Sequence, residues 1–332
     1  MTANGKPKFA MYWAASCGGC EIAVLNIHEK ILDVDANFEV VFWPVAMDAK
    51  YKDLEAMPDE SITLTLFNGG MRNSENEELA HLLRKKSKIL VAFGSCACEG
   101  CLPGLANLSP VSEIIDTAFN TISTENPDNL RPQSKWMAPE GELHIPTLNP
   151  LLKTLDQVVP VDYYMPGCPP ESHQIEAVVD LVIQALKGEV ELPAAGTVIG
   201  ASGSTVCEEC KRTRSEKQIR QFHRIYEIVV DPEVCLLEQG VLCNGIATRS
   251  GCGALCPQAG APCVGCYGPA EGVVDYGARL ITAVASVIDS NDPQEIERIL
   301  DGIPDPAGMF YRFNLPGSIL GHSKTAWTNA KQ

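Results

Sequence analysis

Two observations predict an α/β chain of two domains. Across the first 190 residues, short apolar or β-branched runs alternate with stretches of helical spacing, and the turns between them are short. Beyond that point the apolar runs shorten, and Gly, Pro and Cys crowd together. Parallel strands need crossover connections, so strand–helix alternation implies a parallel sheet covered by helices on both faces. Residues 1–190 are therefore expected to form a doubly wound domain, and residues 191–332 a small, irregular one.

Lys8–Ala14 is an apolar run rich in aromatics, as a strand requires. Glu21–Leu32 sets Ile22, Leu25 and Ile31 at helical spacing. Phe38–Trp43 is rich in strand formers, and Ile62–Phe67 alternates β-branched and apolar residues before stopping at Asn68-Gly69-Gly70. That stop lacks the GxGxxG spacing of a dinucleotide site, so nucleotide binding has no support. Glu75–Lys86 carries helix formers, Lys88–Phe93 reads as a buried strand ended by Gly94, and Val111–Ile122 is helical in pattern. Residues 123–150 form a long excursion before the short strand Tyr163–Met165, which Pro166-Gly167 stops. Glu171–Leu186 closes the series as a helix. The order of elements is that of a flavodoxin-like, doubly wound domain. Residues 188–206, with Pro193, Gly196, Gly200 and Gly203, read as a linker. Cys207–Cys266 has too few apolar residues to fold by burial alone and is expected to need metal. Two helical stretches, Gly272–Ile288 and Pro293–Leu300, follow it.

With 45% hydrophobic and 20% charged residues, the chain is an ordinary globular protein. Its 26 Lys and Arg against 42 Asp and Glu give a formal charge of −16, which excludes a basic footprint for nucleic acid or anionic lipid. The one basic run, Lys211-Arg212-Thr213-Arg214, reads as a solvated face. The N-terminal residues Met1–Lys8 carry neither an apolar signal core nor a twin arginine, and apolar runs such as Ile175–Leu186 are too short to span a bilayer. The expected location is cytoplasmic. Fourteen cysteines in a reducing compartment point to metal rather than to disulfides.

The placement of the thiols sharpens that reading. Cys17-Gly18-Gly19-Cys20 directly follows the first strand, Cys96 follows Lys88–Phe93, and Cys168 follows Tyr163–Met165. In an open α/β sheet the loops at the carboxyl ends of the strands gather at one edge, where ligands bind. Three separated segments thus bring four thiols together, and the flanking glycines let backbone N–H groups approach sulfur. A set combining Cys96, Cys98 and Cys101 would strand Cys168 or Cys17, so Cys98 and Cys101 are expected to pack near the site. Eight further thiols, Cys207, Cys210, Cys235, Cys243, Cys252, Cys256, Cys263 and Cys266, lie within 60 residues and make two sets of four. Four-thiolate sets suit zinc or iron–sulfur clusters. The unequal, Gly-rich spacings and the Cys256-Pro257 ending favour clusters over repeated zinc ribbons. Three 4Fe–4S clusters would use twelve of the fourteen cysteines.

On Cys17-Gly-Gly-Cys20-Glu21, Gly94-Ser95-Cys96-Ala97, Gly167-Cys168-Pro169-Pro170 and the Cys-rich second domain, the chain resembles the small, electron-transferring subunit of nickel–iron hydrogenases over nearly its whole length. The resemblance implies that Cys17, Cys20, Cys96 and Cys168 hold a proximal 4Fe–4S cluster, next to a nickel–iron centre carried by a separate large subunit. It implies a distal cluster on Cys207, Cys210, Cys235 and Cys243. It also implies a medial one on Cys252, Cys256, Cys263 and Cys266, where Cys256 adds a fourth thiol to a set that has three in many relatives. Cys207-x2-Cys210 stands where many relatives have a His-x2-Cys pair. Cys235-Leu-Leu-Glu-Gln-Gly and Cys263-Val-Gly-Cys266-Tyr-Gly-Pro look most like the cytosolic methyl-viologen-reducing type, which implies an iron–sulfur adaptor or a heterodisulfide-reductase-type acceptor.

On this reading no dihydrogen-splitting residue lies on the chain, and its task is electron relay. Glu21 is a candidate proton relay, although an acid in a first helical turn also simply suits the helix dipole. His173 reads as a polar residue at a helix start, and the count of thiols leaves His223 no ligand role. Two other classes account for the cysteines: a stand-alone multicluster ferredoxin-like carrier, and a zinc-stabilised binding scaffold.

Overall fold

The computed structural model describes residues 5–215 and 219–321. Its centre is a six-stranded, wholly parallel sheet built from β1 (Lys8–Trp13), β2 (Glu39–Phe42), β3 (Ile62–Asn68), β5 (Ser87–Phe93), β9 (Tyr163–Met165) and β10 (Thr197–Val198). Three further strands, β6 (Lys135–Ala138), β7 (Gly141–His144) and β8 (Leu148–Lys153), lie in the excursion after residue 123, and β4 (Met71–Asn73) pairs antiparallel with β8. The strand order β2-β1-β3-β5-β9-β10 is the flavodoxin-like order with one strand added. The direction of winding reverses between β1 and β3, so the crevice at their carboxyl ends is the natural ligand edge.

Alternate residues of the strands enter separate cores on the two faces. Phe9, Met11, Leu64, Val91 and Phe93 meet Ala23, Val24, Ile175 and Val182 from the helices Gly19–Leu25 and Ser172–Leu186. Ala10, Tyr12, Phe67, Leu90 and Ala92 meet Leu54 of Tyr51–Ala56 and Leu79, Ala80 and Leu83 of Ser74–Lys86. At about 25 cal/mol per Å2 of apolar surface, two such faces supply the main drive to fold.

Some expectations fail in instructive ways. The helix expected over Glu21–Leu32 breaks into Gly19–Leu25, a 3-10 turn at His28–Lys30 and Ile31–Asn37, with His28 at φ 52°. Ile22 and Leu25 face outward at 56% and 53% exposure, and Ala23, Val24 and Ile27 are buried instead. Residues 188–206, expected as a linker, supply β10 to the first sheet. The second part of the chain also has an apolar core of its own. Ile219, Phe222, Leu237 and Leu242 pack on Tyr276, Leu280 and Val284 of the helix Tyr276–Ala285, on Ile299 of Pro293–Leu300 and on Phe310 of Pro306–Tyr311. The Cys-rich segment therefore rests on helices that follow it.

The two parts are joined at the ligand edge. Ser95 Oγ donates to the Cys266 carbonyl and accepts from Gly167 N at 3.1 Å. Tyr267 is fully buried; its hydroxyl donates to Gln174 Oε1 and accepts from Glu171 N at 3.0 Å. The carbonyl of Phe313 accepts from Cys101 N at 2.9 Å, and that of Pro316 from Gln157 Nε2 at 2.8 Å.

Candidate metal centres

Cys17 and Cys20 flank the start of the helix after β1, Cys96 lies in the short helix Ser95–Glu99 after β5, and Cys168 follows β9. The sheet thus brings to one edge the four thiols that the sequence singles out. Cys20 is buried, and its thiol is pushed up first by burial and then by its neighbours Cys168, Cys17 and Cys101. Gly94, at φ 81°, is required here: a Cβ on it would stand 2.3 Å from Cys20 Sγ. Gly19 N donates to Cys17 Sγ at 3.4 Å.

Cys98 and Cys101 part company. Cys98 turns into the core beneath the sheet, packs with Ala10, Tyr12 and Ala92, and donates its S–H to the Ala92 carbonyl at 3.2 Å. Cys101 turns the other way, into the thiol set, with its Sγ 3.6 Å from Cys168 Sγ and within contact of Cys96. Gly100 at φ 89° and Cys101 at φ 48° make that reversal.

The eight later thiols fall into neighbourhoods along the same line. Cys207 is pushed up to about 12 by burial and then by Cys243 and Cys235; Cys243 in turn feels Cys235 and Cys210. Cys266 is pushed up to about 12 by burial and then by Cys252, Cys168 and Cys256. Cys263 is raised by burial and then by Cys243, with Cys266 a lesser neighbour. Cys266 thus borders the first set, and Cys263 borders the set of Cys207, Cys210, Cys235 and Cys243.

The donor sets suit a cationic iron–sulfur group. Backbone N–H groups of Gly245 and Cys263 point at Cys243 Sγ, the latter at 3.3 Å. Those of Ala254 and Leu255 reach Cys252, that of Gly265 reaches Cys263, and that of Cys168 reaches Cys266. Such donors stabilise sulfur that carries negative charge. Buried thiols without metal hold their protons, so binding a metal group here releases them. Among the described residues, no three His, Cys, Asp or Glu side chains close on a single metal-ion position.

Arg212 corrects the expectation of a solvated basic run. It is 7% exposed; its Nε donates to the Pro257 carbonyl at 2.7 Å, and Nη1 donates to those of Asp231 at 2.6 Å and Val234 at 2.9 Å. The loops bearing Cys210, Cys235 and Cys256 are fastened to one guanidinium. No sequence pattern signals this, because its partners are backbone carbonyls far along the chain.

Glu21 lies in the first turn of the helix Gly19–Leu25, where an acid suits the dipole, and it is 3% exposed. Trp43 Nε1 donates to its Oε2 at 2.5 Å, and burial pushes its carboxyl up against the opposing pull of Trp43 and Asn68. His173 is exposed and pairs with the Gly251 carbonyl at 3.1 Å, as a polar residue at a helix start would. His223 pairs its backbone N with the Gly240 carbonyl at 2.8 Å. Glu99, which no sequence motif marks, lies against Gly268 and Gly317 and borders a cavity of about 370 Å3 with Asp156, Tyr164 and Arg249. Burial first, then Asp156, pushes its carboxyl up to about 8 against the pull of Arg249.

The family model described as NADH ubiquinone oxidoreductase, 20 Kd subunit, matches residues 17–182. The chain is 40% identical over 320 residues to the iron-sulfur subunit of the F420-non-reducing hydrogenase of Archaeoglobus profundus, covering 94% of this chain and 97% of that one. It is 38% identical over 313 residues to a vhu subunit of the F420-non-reducing hydrogenase of Methanocaldococcus jannaschii, covering 94% and 96%. Among solved structures, a chain of the [NiFeSe] hydrogenase of Desulfovibrio vulgaris Hildenborough superposes with a TM-score of 0.50 at 17% identity, over 81% of this chain and 96% of that one. At that identity the likeness is one of fold.

Proposed function

Since the chain belongs to the NADH ubiquinone oxidoreductase 20 kDa subunit family, and within it to the small subunits of nickel–iron hydrogenases, we propose that it binds three 4Fe–4S clusters and relays electrons between a large subunit's nickel–iron centre and an external acceptor. The observation that carries this reading is the serial arrangement of the thiol sets: Cys168 neighbours Cys266, and Cys263 neighbours Cys243. The proximal set is Cys17, Cys20, Cys96 and Cys168; the medial set Cys252, Cys256, Cys263 and Cys266; the distal set Cys207, Cys210, Cys235 and Cys243. A bound 4Fe–4S cluster supplies one-electron oxidation and reduction, at a potential set by burial and by hydrogen bonds to sulfur. This chain's residues fix both. Ser95 clamps the Cys168 loop to the Cys266 loop, Arg212 fastens the outer loops, and backbone N–H groups offset thiolate charge.

Cys17 is exposed, and Trp13, Ile22 and Leu25 around it are exposed apolar residues, which suits docking of the large subunit over the proximal set. An iron–sulfur adaptor or heterodisulfide-reductase-type acceptor at the distal end accords with the resemblance to the methyl-viologen-reducing type. Cytoplasmic residence accords with fourteen unpaired cysteines; among the described residues no helix is long and apolar enough to cross a membrane.

The test is elemental analysis of the anaerobically purified native complex for iron, acid-labile sulfide, zinc and nickel. The reading requires about 12 iron and about 12 sulfide on this chain, with nickel in the large subunit. Zinc in place of iron overturns it, and full iron with no nickel-containing partner makes the chain a stand-alone carrier.

A further inference from the structure

Five thiols, not four, converge where β1, β5 and β9 end. The fifth is Cys101, and its position relative to Cys168 is informative. Two thiolates bound to one tetrahedral metal at about 2.3 Å each stand about 3.8 Å apart. Cys101 Sγ lies 3.6 Å from Cys168 Sγ. That spacing fits two ligands of one metal corner; Cys96 also lies within contact of Cys101, and Cys168 is the neighbour at 3.6 Å.

The backbone holds this thiol in place by several means. Cys101 adopts φ 48° and ψ −157°, a conformation glycine enters freely and a residue with a Cβ does not. Its N donates to the Phe313 carbonyl at 2.9 Å, its carbonyl accepts from Gly104 N at 3.0 Å, and Phe313 packs against it together with Cys96 and Cys168. It is 1% exposed. A packing role needs none of this, as Cys98 shows on the opposite face of the same turn.

We propose that Cys101 is a reserve ligand for the iron that Cys168 holds. The inference rests on the proximal-cluster reading above. In the exchange, the Fe–S bond to Cys168 breaks as the Fe–S bond to Cys101 forms. The Cys101 thiol proton passes to the Cys168 sulfur across their contact, and no electron changes hands. The corner iron would carry one thiolate before and one after the exchange.

The test compares the anaerobically purified hydrogenase complex as wild type, Cys101→Ala, Cys168→Ala and the double variant. It reads iron and acid-labile sulfide per complex and the electron paramagnetic resonance signal of the reduced proximal cluster. Wild type and both single variants keep the full iron count, Cys168→Ala with an altered signal, and the double variant loses about four iron and about four sulfide. Loss of those four iron from Cys168→Ala alone overturns the proposal. If Cys168→Ala does not assemble, iron release to a chelator decides between wild type and Cys101→Ala. Removing the reserve thiol speeds release from the proximal set about tenfold, and equal rates overturn the proposal. A wild-type complex without a proximal cluster would defeat the functional reading itself, an outcome distinct from either.

Discussion

Glu99 makes the stability of this chain depend on pH in a direction opposite to that of ion-paired carboxylates. Burial and Asp156 raise its carboxyl from 4.5 to about 8, so between those values the folded chain holds a proton that the unfolded chain has released. Stability then falls as pH rises through this window, by up to about 1.36 kcal/mol per unit, and is flat above it. At pH 7 the window has been crossed for about 2.5 units, which amounts to at most about 3.4 kcal/mol. Glu99 is only partly buried by surface area and borders an open cavity, so water screens the charge, and about half that figure, roughly 2 kcal/mol, is the expected penalty. Glu99→Gln keeps the shape and removes the titration. The assay is anaerobic thermal unfolding of wild-type and variant complexes from about pH 4 to pH 9, read as the difference in midpoint so that shared titrations cancel. The two coincide near pH 4, and the variant gains roughly 4 °C by pH 8. A gap independent of pH would refute the reasoning. The companion Asp156→Asn should narrow the window by lowering the Glu99 carboxyl.

Three further perturbations separate the parts of the site. Gly94→Ala places a methyl 2.3 Å from Cys20 Sγ at a positive φ; it should cost about 2–3 kcal/mol and empty the proximal set of about four iron, seen by thermal unfolding and iron analysis. Cys98→Ala should cost about 1–2 kcal/mol for the cavity it leaves while the iron count stays at the wild-type value. Arg212→Ala strands the buried Pro257 carbonyl and leaves those of Asp231 and Val234 to Gln239 alone; it should cost about 2 kcal/mol, with iron lost from the later thiols before those at the sheet edge on chelator challenge. Arg212→Lys should restore little, because an ammonium cannot reproduce the guanidinium's spread of donors.

What was legible in the sequence was whatever a local pattern encodes. β5 and β9 end at Gly94 and Pro166-Gly167, so the placement of Cys96 and Cys168 at strand ends could be read directly. β10 could not, because two residues carry no period and its pairing with β9 is decided by packing. Ile22 and Leu25 satisfied helical spacing, yet the helix presents them outward, since spacing sets which residues share a face and not which face turns inward. Cys98 and Cys101 illustrate the same limit at a site. Three residues apart, they would share a face of a continuous helix; the left-handed Gly100 ends that helix and sends the second thiol to the opposite side of the first. Arg212 was hidden because burial is a property of loops that close over it, not of the run it belongs to.

The same packing explains how an acidic chain can crowd together the twelve thiols that the proposed clusters would bind as thiolates. Formal charge is already −16, and the cation that acts on Cys207, Arg214, is a lesser influence there than burial or the neighbouring thiols. Compensation comes instead from amide dipoles: those of Gly245, Ala254, Leu255 and Gly265, and of two cysteines, Cys168 and Cys263, whose own N–H groups serve the sulfur of a neighbour. A fixed N–H buried with its acceptor is screened by salt far less than a surface lysine would be, and does not move when charge on the sulfur changes. Glycine serves these cysteines in two ways: Gly245 brings its N–H to the Cys243 sulfur, and Gly94, whose own N–H goes to the Met165 carbonyl, leaves the room that Cys20 Sγ occupies. Cys168 N donating to Cys266 Sγ goes one step further: one residue both supplies a thiol to the proposed proximal set and stabilises a thiol of the proposed medial set. A change in the position of the Cys168 loop therefore reaches both sets at once, and the seam held by Ser95 is where their properties are coupled.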